Sequence, residues 1–342
     1  MRATAIVFPE KNRCVLEELT LPDPGPKDLV VETEVCGVSV GTERWALVGL
    51  RPEISYPNVP GYQGVGKVIE VGSEAARHGY SKGSRVHFLR CRLPVPYGTN
   101  SWMGSHVSRA VVDVVTGLDA DPDHARSAVC ETLPEGLDPL DASLAGLAGV
   151  SLQGIEMAVI PAGACVLVTG LGVLGQYAAQ VCRLKGTRVA VSDPVDLRLD
   201  IARRLGADWT INPAKESLEA RTRDIAPVGF DVIIDTSSIS AVLPGLLPLV
   251  KERGKFIFQG YYPPPSVFDL SKVAGQMPTW YFPNGHTGLH IAAAMRWMAD
   301  GFLKTKPLLT HVVKVEQAPE IYRMIAAGSQ DFLGVAFDWR RP

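Results

Sequence analysis

The stretch "ACVLVTGLGVLGQYAAQVCRLKG", residues 164–186, most restricts what this chain can fold into. A short, wholly apolar run reads as a strand buried on both faces, and the residues after it repeat apolar positions at helical spacing. Between them stand Gly170, Gly172 and Gly175 in G-x-G-x-x-G spacing. In that context each glycine has a purpose: a tight turn, close approach of a pyrophosphate, and close packing of helix on strand. The helix then opens at Val173 and Leu174, whose unpaired N–H groups and partial positive charge suit phosphate. A second strand, "RVAVSD", ends at Asp193, 23 residues after Gly170. A carboxylate there can accept from both ribose hydroxyls of an adenosine and would repel a 2′-phosphate, which predicts NAD(H) over NADP(H). Arg198 and Arg203 on the next helix are the residues that argue the other way.

The surrounding sequence repeats the rhythm. "LRLDIARRLGA", "DWTIN", "FDVIIDTSS", "AVLPGLLPLVKERG" and "KFIFQGYY" alternate helix and strand, the pattern of a doubly wound parallel sheet. Ahead of about residue 115 the chain is instead rich in Val, Gly, Pro and Thr. Its β-like runs "DLVVETEVCGVSV", "GVGKVIEVG" and "SRVHF", punctuated by turns such as "LPDPGPKD", predict a small irregular β-barrel. The closing "GVAFDW" reads as a strand that returns to a sheet already built. The expected division is 126–304 for the cofactor domain, with 1–125 and 305–342 forming the other.

With 342 residues, 46% hydrophobic and 20% charged, the chain suits two soluble globular domains. A formal net charge of -2 gives no reason to expect nucleic acid or an anionic membrane as partner. No apolar run approaches the length of a membrane span, and "MRATAIVFPEKNRC" lacks the core of a secretory signal, so the expected compartment is the cytoplasm. Six cysteines lie scattered without a C-x-x-C pair, as buried free thiols would.

Taken in order, "VCGVSVGTE", "PGYQGVGKVIEVG", "KGSRV" and the glycine-rich turn resemble the medium-chain dehydrogenase/reductase superfamily over nearly the whole chain. The resemblance implies a GroES-like catalytic domain beside the Rossmann domain, and a homodimer acting on a small molecule. Zinc-dependent members carry Cys before G-T/S-D, a G-H-E segment and a further ligand on the helix leading into the cofactor domain. On those landmarks this chain has Val40, Tyr62, Gln63 and Gly146. Valine and glycine have no lone pair to offer, and neutral Tyr and Gln are poor zinc ligands, so no metal is expected. "GVSVGTERWALVG", "YPNVPGYQGVGKV", "GKFIFQGYY" and "FDW" resemble the bacteriochlorophyllide dehydrogenase branch, which implies NAD-dependent oxidation of a hydroxyethyl chlorin. Gln63 departs from the glutamate of that branch.

The resemblance places Thr42 where a hydroxyl bonds the substrate oxygen, and Glu43 where a carboxylate orients a metal-ligating histidine. With Tyr62 in that histidine's place, a Glu43 to Tyr62 hydrogen bond is expected, leaving the phenol as general acid or base with Arg44 as a nearby charge. Filling of the vacated volume is the equal alternative for Tyr62. His106 is the spare acid/base, Trp45 and Gln63 would line the substrate pocket, and the aromatic "TWYFPNGH" would line that pocket, make a subunit contact or pack as a surface loop. Thr236 and Ser237 follow Asp235 at a strand's carboxyl edge, where ligands of open α/β sheets bind. Gly260 and Tyr261 would approach the nicotinamide. The activity implied is interconversion of a secondary alcohol and a ketone. A C=C reductase, a sugar or cyclitol dehydrogenase and a non-catalytic cofactor-binding protein are the alternatives.

Overall fold

Strong alternation of buried, branched residues with turn clusters produces strands through most of the first third of the chain. The computed structural model describes residues 1–97, 103–116, 130–262, 267, 269, 271, 273–285, 288–329 and 332–340. Its strands are β1 (Arg2–Val7), β2 (Val15–Thr20), β3 (Asp28–Val38), β4 (Gly64–Val71), β5 (Arg85–Phe88), β6 (Arg109–Asp113), β7 (Cys130–Thr132), β8 (Cys165–Thr169), β9 (Arg188–Ser192), β10 (Trp209–Ile211), β11 (Phe230–Asp235), β12 (Val250–Phe258), β13 (Thr279–Tyr281), β14 (Leu309–Lys314) and β15 (Gly334–Asp338). The chain divides into two compact units, residues 1–149 with 286–342, and residues 150–285. The bounds differ from the expected ones because β7 pairs with β5 and the helix Gly288–Ala299 packs on β7, so both belong with the first unit. The expected boundary at 125/126 itself lies outside the described residues.

In the first unit a seven-stranded sheet runs β14-β15-β3-β4-β5-β7, with β6 also on β3, and β1 and β2 form a separate antiparallel pair. All pairings of the larger sheet are antiparallel except β14 with β15. The closing strand β15 lies antiparallel to β3, Phe337 opposite Cys36, so the chain's end returns to the sheet as its sequence predicts. Register shifts interrupt β3 against β4 at Val30/Val31 and Thr33/Val35, which bend the longest strand of the sheet. The core beneath it gathers Val7, Leu29, Val31, Val68, Val86, Phe88 and Val111.

The second unit holds six parallel strands in the order β10-β9-β8-β11-β12-β13. Order reverses between β8 and β11, and ligands of such sheets bind outside the carboxyl ends at that point. Strand β8 is buried along its whole length, as its unbroken apolar run requires. One element departs from the sequence reading. "AVLPGLLPLV" forms short helical pieces, Ser240–Val242, Leu243–Leu246 and Leu247–Leu249, and β12 begins at once with Val250. Pro244 and Pro248 each stand near the start of a piece, where a missing N–H costs least, and neither can continue a preceding helix. No described helix is long and apolar enough to cross a membrane. All six cysteines are free, five of them buried and Cys14 half-buried.

Candidate functional site

The turn after β8 is shaped by its glycines. Gly170 has φ +79, and a Cβ there would sit 2.7 Å from Ser237 Cα. A Cβ on Gly175 would lie 1.9 Å from the Gly170 carbonyl oxygen. Gly172, which opens the helix Val173–Leu184, is different: a Cβ there would meet nothing within 4 Å. Two glycines are therefore needed by the protein itself, and the third borders open space at a helix N-terminus, where Val173 and Leu174 begin the first turn. That is the cradle a pyrophosphate requires, and the residues fit a dinucleotide.

Asp193 follows β9 and is buried, with Oδ2 accepting from Leu171 N–H at 2.7 Å and Oδ1 from Val195 N–H at 2.8 Å. It thus braces the glycine turn from one side. Arg198 Nη1 stands 3.5 Å from the same carboxylate, whereas Arg203 is turned to Asp200 at 2.5 Å and Thr210 at 2.8 Å. On the other side of β8, Thr236 donates from Oγ1 to Gly170 O at 2.5 Å, and Ser237 Oγ accepts from Ile239 N–H at 3.2 Å. Gly260 lies against Ser238, whose Oγ would be 2.7 Å from a Cβ at that position. The neighbouring Tyr261 is half-buried.

In the first unit, β3 ends at Val38 and the helix Val40–Leu47 follows, carrying Thr42, Glu43 and Trp45. Thr42 and Trp45 are half-buried and Gly41 is exposed. Ser39 holds the N-cap position but its hydroxyl caps nothing. It accepts instead from the Tyr62 phenol at 2.7 Å, while the Ser39 N–H donates to Glu43 Oε1, also at 2.7 Å. Thr42 makes a further side-chain hydrogen bond to Tyr62.

The expected Glu43 to Tyr62 bond is replaced by another arrangement. Glu43 is fully buried, and its Oε2 meets His106 Nε2 at 3.0 Å and accepts from the Tyr322 phenol. Glu43 acts on Tyr62 only as a neighbouring negative charge. Arg44 is also elsewhere: Nε donates to Ile325 O at 3.1 Å, at the end of the helix Ala318–Ala327, with its guanidinium 5.1 Å from the Trp45 ring centroid. Arg51 is the cation that acts on Tyr62. Burial dominates there and raises the phenol's pKa above its ordinary value, against the smaller opposing effects of Ser39 and Thr42. Burial alone would lower the His106 pKa, but the facing Glu43 carboxylate, with Cys36 beside it, raises the value to about 10. His106 is thus a buried, charged partner of Glu43, its ring edge-on to Phe337 at 5.6 Å, which suits holding the helix better than exchanging protons with a substrate.

The four residues that the resemblance sets at the zinc-ligand positions, Val40, Tyr62, Gln63 and Gly146, do not fit the metal. Gln63 is fully buried and spends Oε1 on the Leu147 N–H at 3.1 Å, while its Oε1 would stand 3.1 Å from a Cβ at Gly146. The glutamine therefore occupies the room a ligand on the Ala145–Met157 helix would need. Among the described residues, no group of three or more His, Cys, Asp or Glu side chains is gathered to hold a metal ion. Gln63 is a capping residue of that helix, so its expected place in a pocket wall gives way to a place in the interior. Of "TWYFPNGH", Thr279–Tyr281 forms β13, and His286 lies outside the described residues. Ser39 and Tyr322 were missed by the sequence reading. Ser39 had a signal, a serine before a helix with a glutamate four residues on; Tyr322 had none.

Comparison with known proteins bears on the fold and on part of the cofactor unit. Residues 173–296 match the zinc-binding dehydrogenase family. The matched span begins after Gly172, so Val40, Tyr62, Gln63 and Gly146 lie outside it. The chain is 29% identical to L-threonine 3-dehydrogenase of Shewanella loihica, over 99% of this chain and 100% of that protein. Its fold matches a Sinorhizobium meliloti protein solved with NADP, at TM-score 0.82 and 20% identity over 99% of both chains. It also matches acetophenone reductase of Geotrichum candidum solved with NAD, at TM-score 0.81 and 20% identity over 100% of this chain and 98% of that one. The chain is thus similar to medium-chain zinc-binding dehydrogenases in part of its sequence and in its fold.

Proposed function

We propose that this chain is an NAD(H)-dependent oxidoreductase that interconverts a secondary alcohol and a ketone without catalytic zinc. The observation that carries the reading is the Tyr62 phenol, tied to Ser39 and Thr42 at the position where the motif resemblance would set a metal-ligating histidine. Gly172, the first turn at Val173 and Leu174, and Asp193 would hold the adenosine diphosphate half of a dinucleotide, and Thr236, Ser237, Gly260 and Tyr261 the nicotinamide half. A bound nicotinamide supplies or accepts the hydride.

The chain's own residues then handle the oxygen and its proton. Thr42 bonds the substrate oxygen, and Tyr62 holds the proton on its Oη. Because burial raises its pKa, Tyr62 is protonated at neutral pH and serves as the acid in the direction of ketone reduction. Ser39 accepts from the phenol beforehand and can donate to the phenolate afterwards, since a hydroxyl does both. The Glu43, His106 and Tyr322 cluster fixes the helix that carries Thr42. Arg198, standing beside Asp193, favours one competing reading, an NADPH-dependent reductase of activated C=C bonds.

A fluorescence titration of NADH against NADPH, on protein of known metal content, separates the two. Preference for NADH sends the protein to a panel of secondary alcohols and ketones. L-Threonine enters that panel through the Shewanella relative, and hydroxyethyl chlorins through the G-T-E-R and P-G-Y-Q motifs alone. A homodimer of the cytoplasm belongs to the same proposal, and sedimentation equilibrium tests the dimer.

A further inference from the structure

Asp235, the last residue of β11, is completely buried and takes no part in the chemistry above. Its carboxylate collects hydroxyl groups from the end of one strand and from two loops at the carboxyl edge of the parallel sheet. Oδ1 accepts from Thr169 at 2.5 Å, at the end of β8 where the glycine turn begins. Oδ2 accepts from Ser237 at 3.0 Å, in the loop after β11, and from the Tyr262 phenol, in the loop after β12. The backbone repeats the tie: Gln259 N–H donates to Asp235 O at 2.9 Å and Thr236 N–H to Thr169 O at 2.9 Å.

Burial pushes the Asp235 pKa up, and the three hydroxyl donors work against it in favour of the ionised acid. A carboxylate in the interior is costly unless its lone pairs are satisfied, and here three side-chain donors satisfy them. Ser237 donates its proton to Asp235 and accepts from the Ile239 N–H, so the hydroxyl ties the carboxylate to the loop that follows. The loop it anchors contains Ser238 in the left-handed region at φ +60, a conformation that a non-glycine residue keeps only when its surroundings hold it. Gly260 packs on that strained residue.

Sheet order decides which part of a dinucleotide this serves. Asp193 follows β9, on one side of β8, whereas Asp235 and Gly260 follow β11 and β12 on the other. A dinucleotide centred on the glycine turn after β8 runs from the first pair of strands to the second. We propose that Asp235 is a positioning residue for the nicotinamide half of the cofactor, holding loops 236–239 and 259–262 in the form that receives it. The assignment rests on the dinucleotide reading given above.

ADP-ribose, which keeps the adenosine half and lacks the nicotinamide, separates this role from general damage. Tyr262→Phe and Thr169→Val each remove one hydroxyl donor to the carboxylate and change shape little. Each should weaken NADH binding roughly tenfold, the scale of one hydrogen bond to a charged group, while ADP-ribose affinity, measured by calorimetry, stays within about twofold. Equal losses for both ligands, or NADH affinity unchanged in both variants, would overturn the assignment alone. Wild-type protein that binds neither NADH nor ADP-ribose would overturn the dinucleotide reading and the assignment with it.

Discussion

Single side chains decide what chemistry this site can perform, and Tyr62 carries the most. Its hydroxyl is tied to Ser39 at 2.7 Å, and removal leaves the ring, hence the packing, in place. Tyr62→Phe should therefore lower kcat by about a hundredfold or more, the usual size of a general acid effect, with NADH affinity unchanged. Steady-state kinetics on the best ketone of the panel checks this, and a kcat within about threefold of wild type would reduce Tyr62 to filling. The buried pair of Glu43 and His106 makes a separate prediction about stability. His106 has its folded pKa raised to about 10, above the roughly 6.5 of an unfolded histidine. A raised value means stability fully present below about pH 6.5 and lost as pH rises through about 10. Urea midpoints should fall over that window in wild type more than in His106→Gln. The variant itself should be less stable by about 3–5 kcal/mol near neutral pH, because Glu43 is left buried without its charge partner. Parallel midpoints for the two proteins would remove the charge from His106.

Elements were legible where local pattern and tertiary packing agree. Strands β8, β9 and β11 are short apolar runs because they are covered on both faces, and the helix Val173–Leu184 announces itself through the glycines before it. "AVLPGLLPLV" misled because apolar spacing was right for a helix while two prolines cut it into single turns. The Glu43 cluster was not legible for another reason. Its partners lie 63 and 279 positions away, on segments that only the tertiary structure brings together. Spacing along a chain says nothing of such a meeting, so the reading could place Glu43 and Tyr62 side by side in sequence logic and still pair them wrongly. The glycine turn offers an experiment at this scale. Gly172→Ala adds a methyl to open space at φ −62, so the thermal midpoint should stay within about 2 °C, as for a substitution that touches nothing. NADH affinity should nevertheless fall about tenfold through lost phosphate contact. Gly175→Ala instead drives a methyl to 1.9 Å from a carbonyl oxygen and should destabilise the protein by roughly 1–3 kcal/mol. Calorimetry on both variants distinguishes a glycine kept for the ligand from one kept for the fold.

At the scale of the whole chain, the fold is shared with zinc-binding dehydrogenases, and the proposed function departs from them at Val40, Tyr62, Gln63 and Gly146, whose side chains are poor ligands for zinc. Fold alone is silent on chemistry, and the substrate oxygen must be polarised by whatever the site presents. In the first unit Gln63 caps the helix Ala145–Met157 through the Leu147 N–H, and the Tyr62 phenol donates to Ser39. Both bonds use the folded chain's own groups, so stability in the first unit should owe nothing to a bound ion. The cofactor is another matter, since a ligand that binds only the folded state stabilises it by about 2.7 kcal/mol at a hundred times its Kd. Protein dialysed against a strong chelator should contain far less than one zinc per chain. Its unfolding transition should lie where it lay before dialysis, and NADH should raise that transition by the same amount in treated and untreated samples. Ketone reduction should survive the treatment as well. Stoichiometric zinc in the untreated protein, lost together with activity on chelation and regained on adding the metal, would mean that ligands other than Val40, Tyr62, Gln63 and Gly146 assemble in solution, and the acid role of Tyr62 would fall with the zinc-free site.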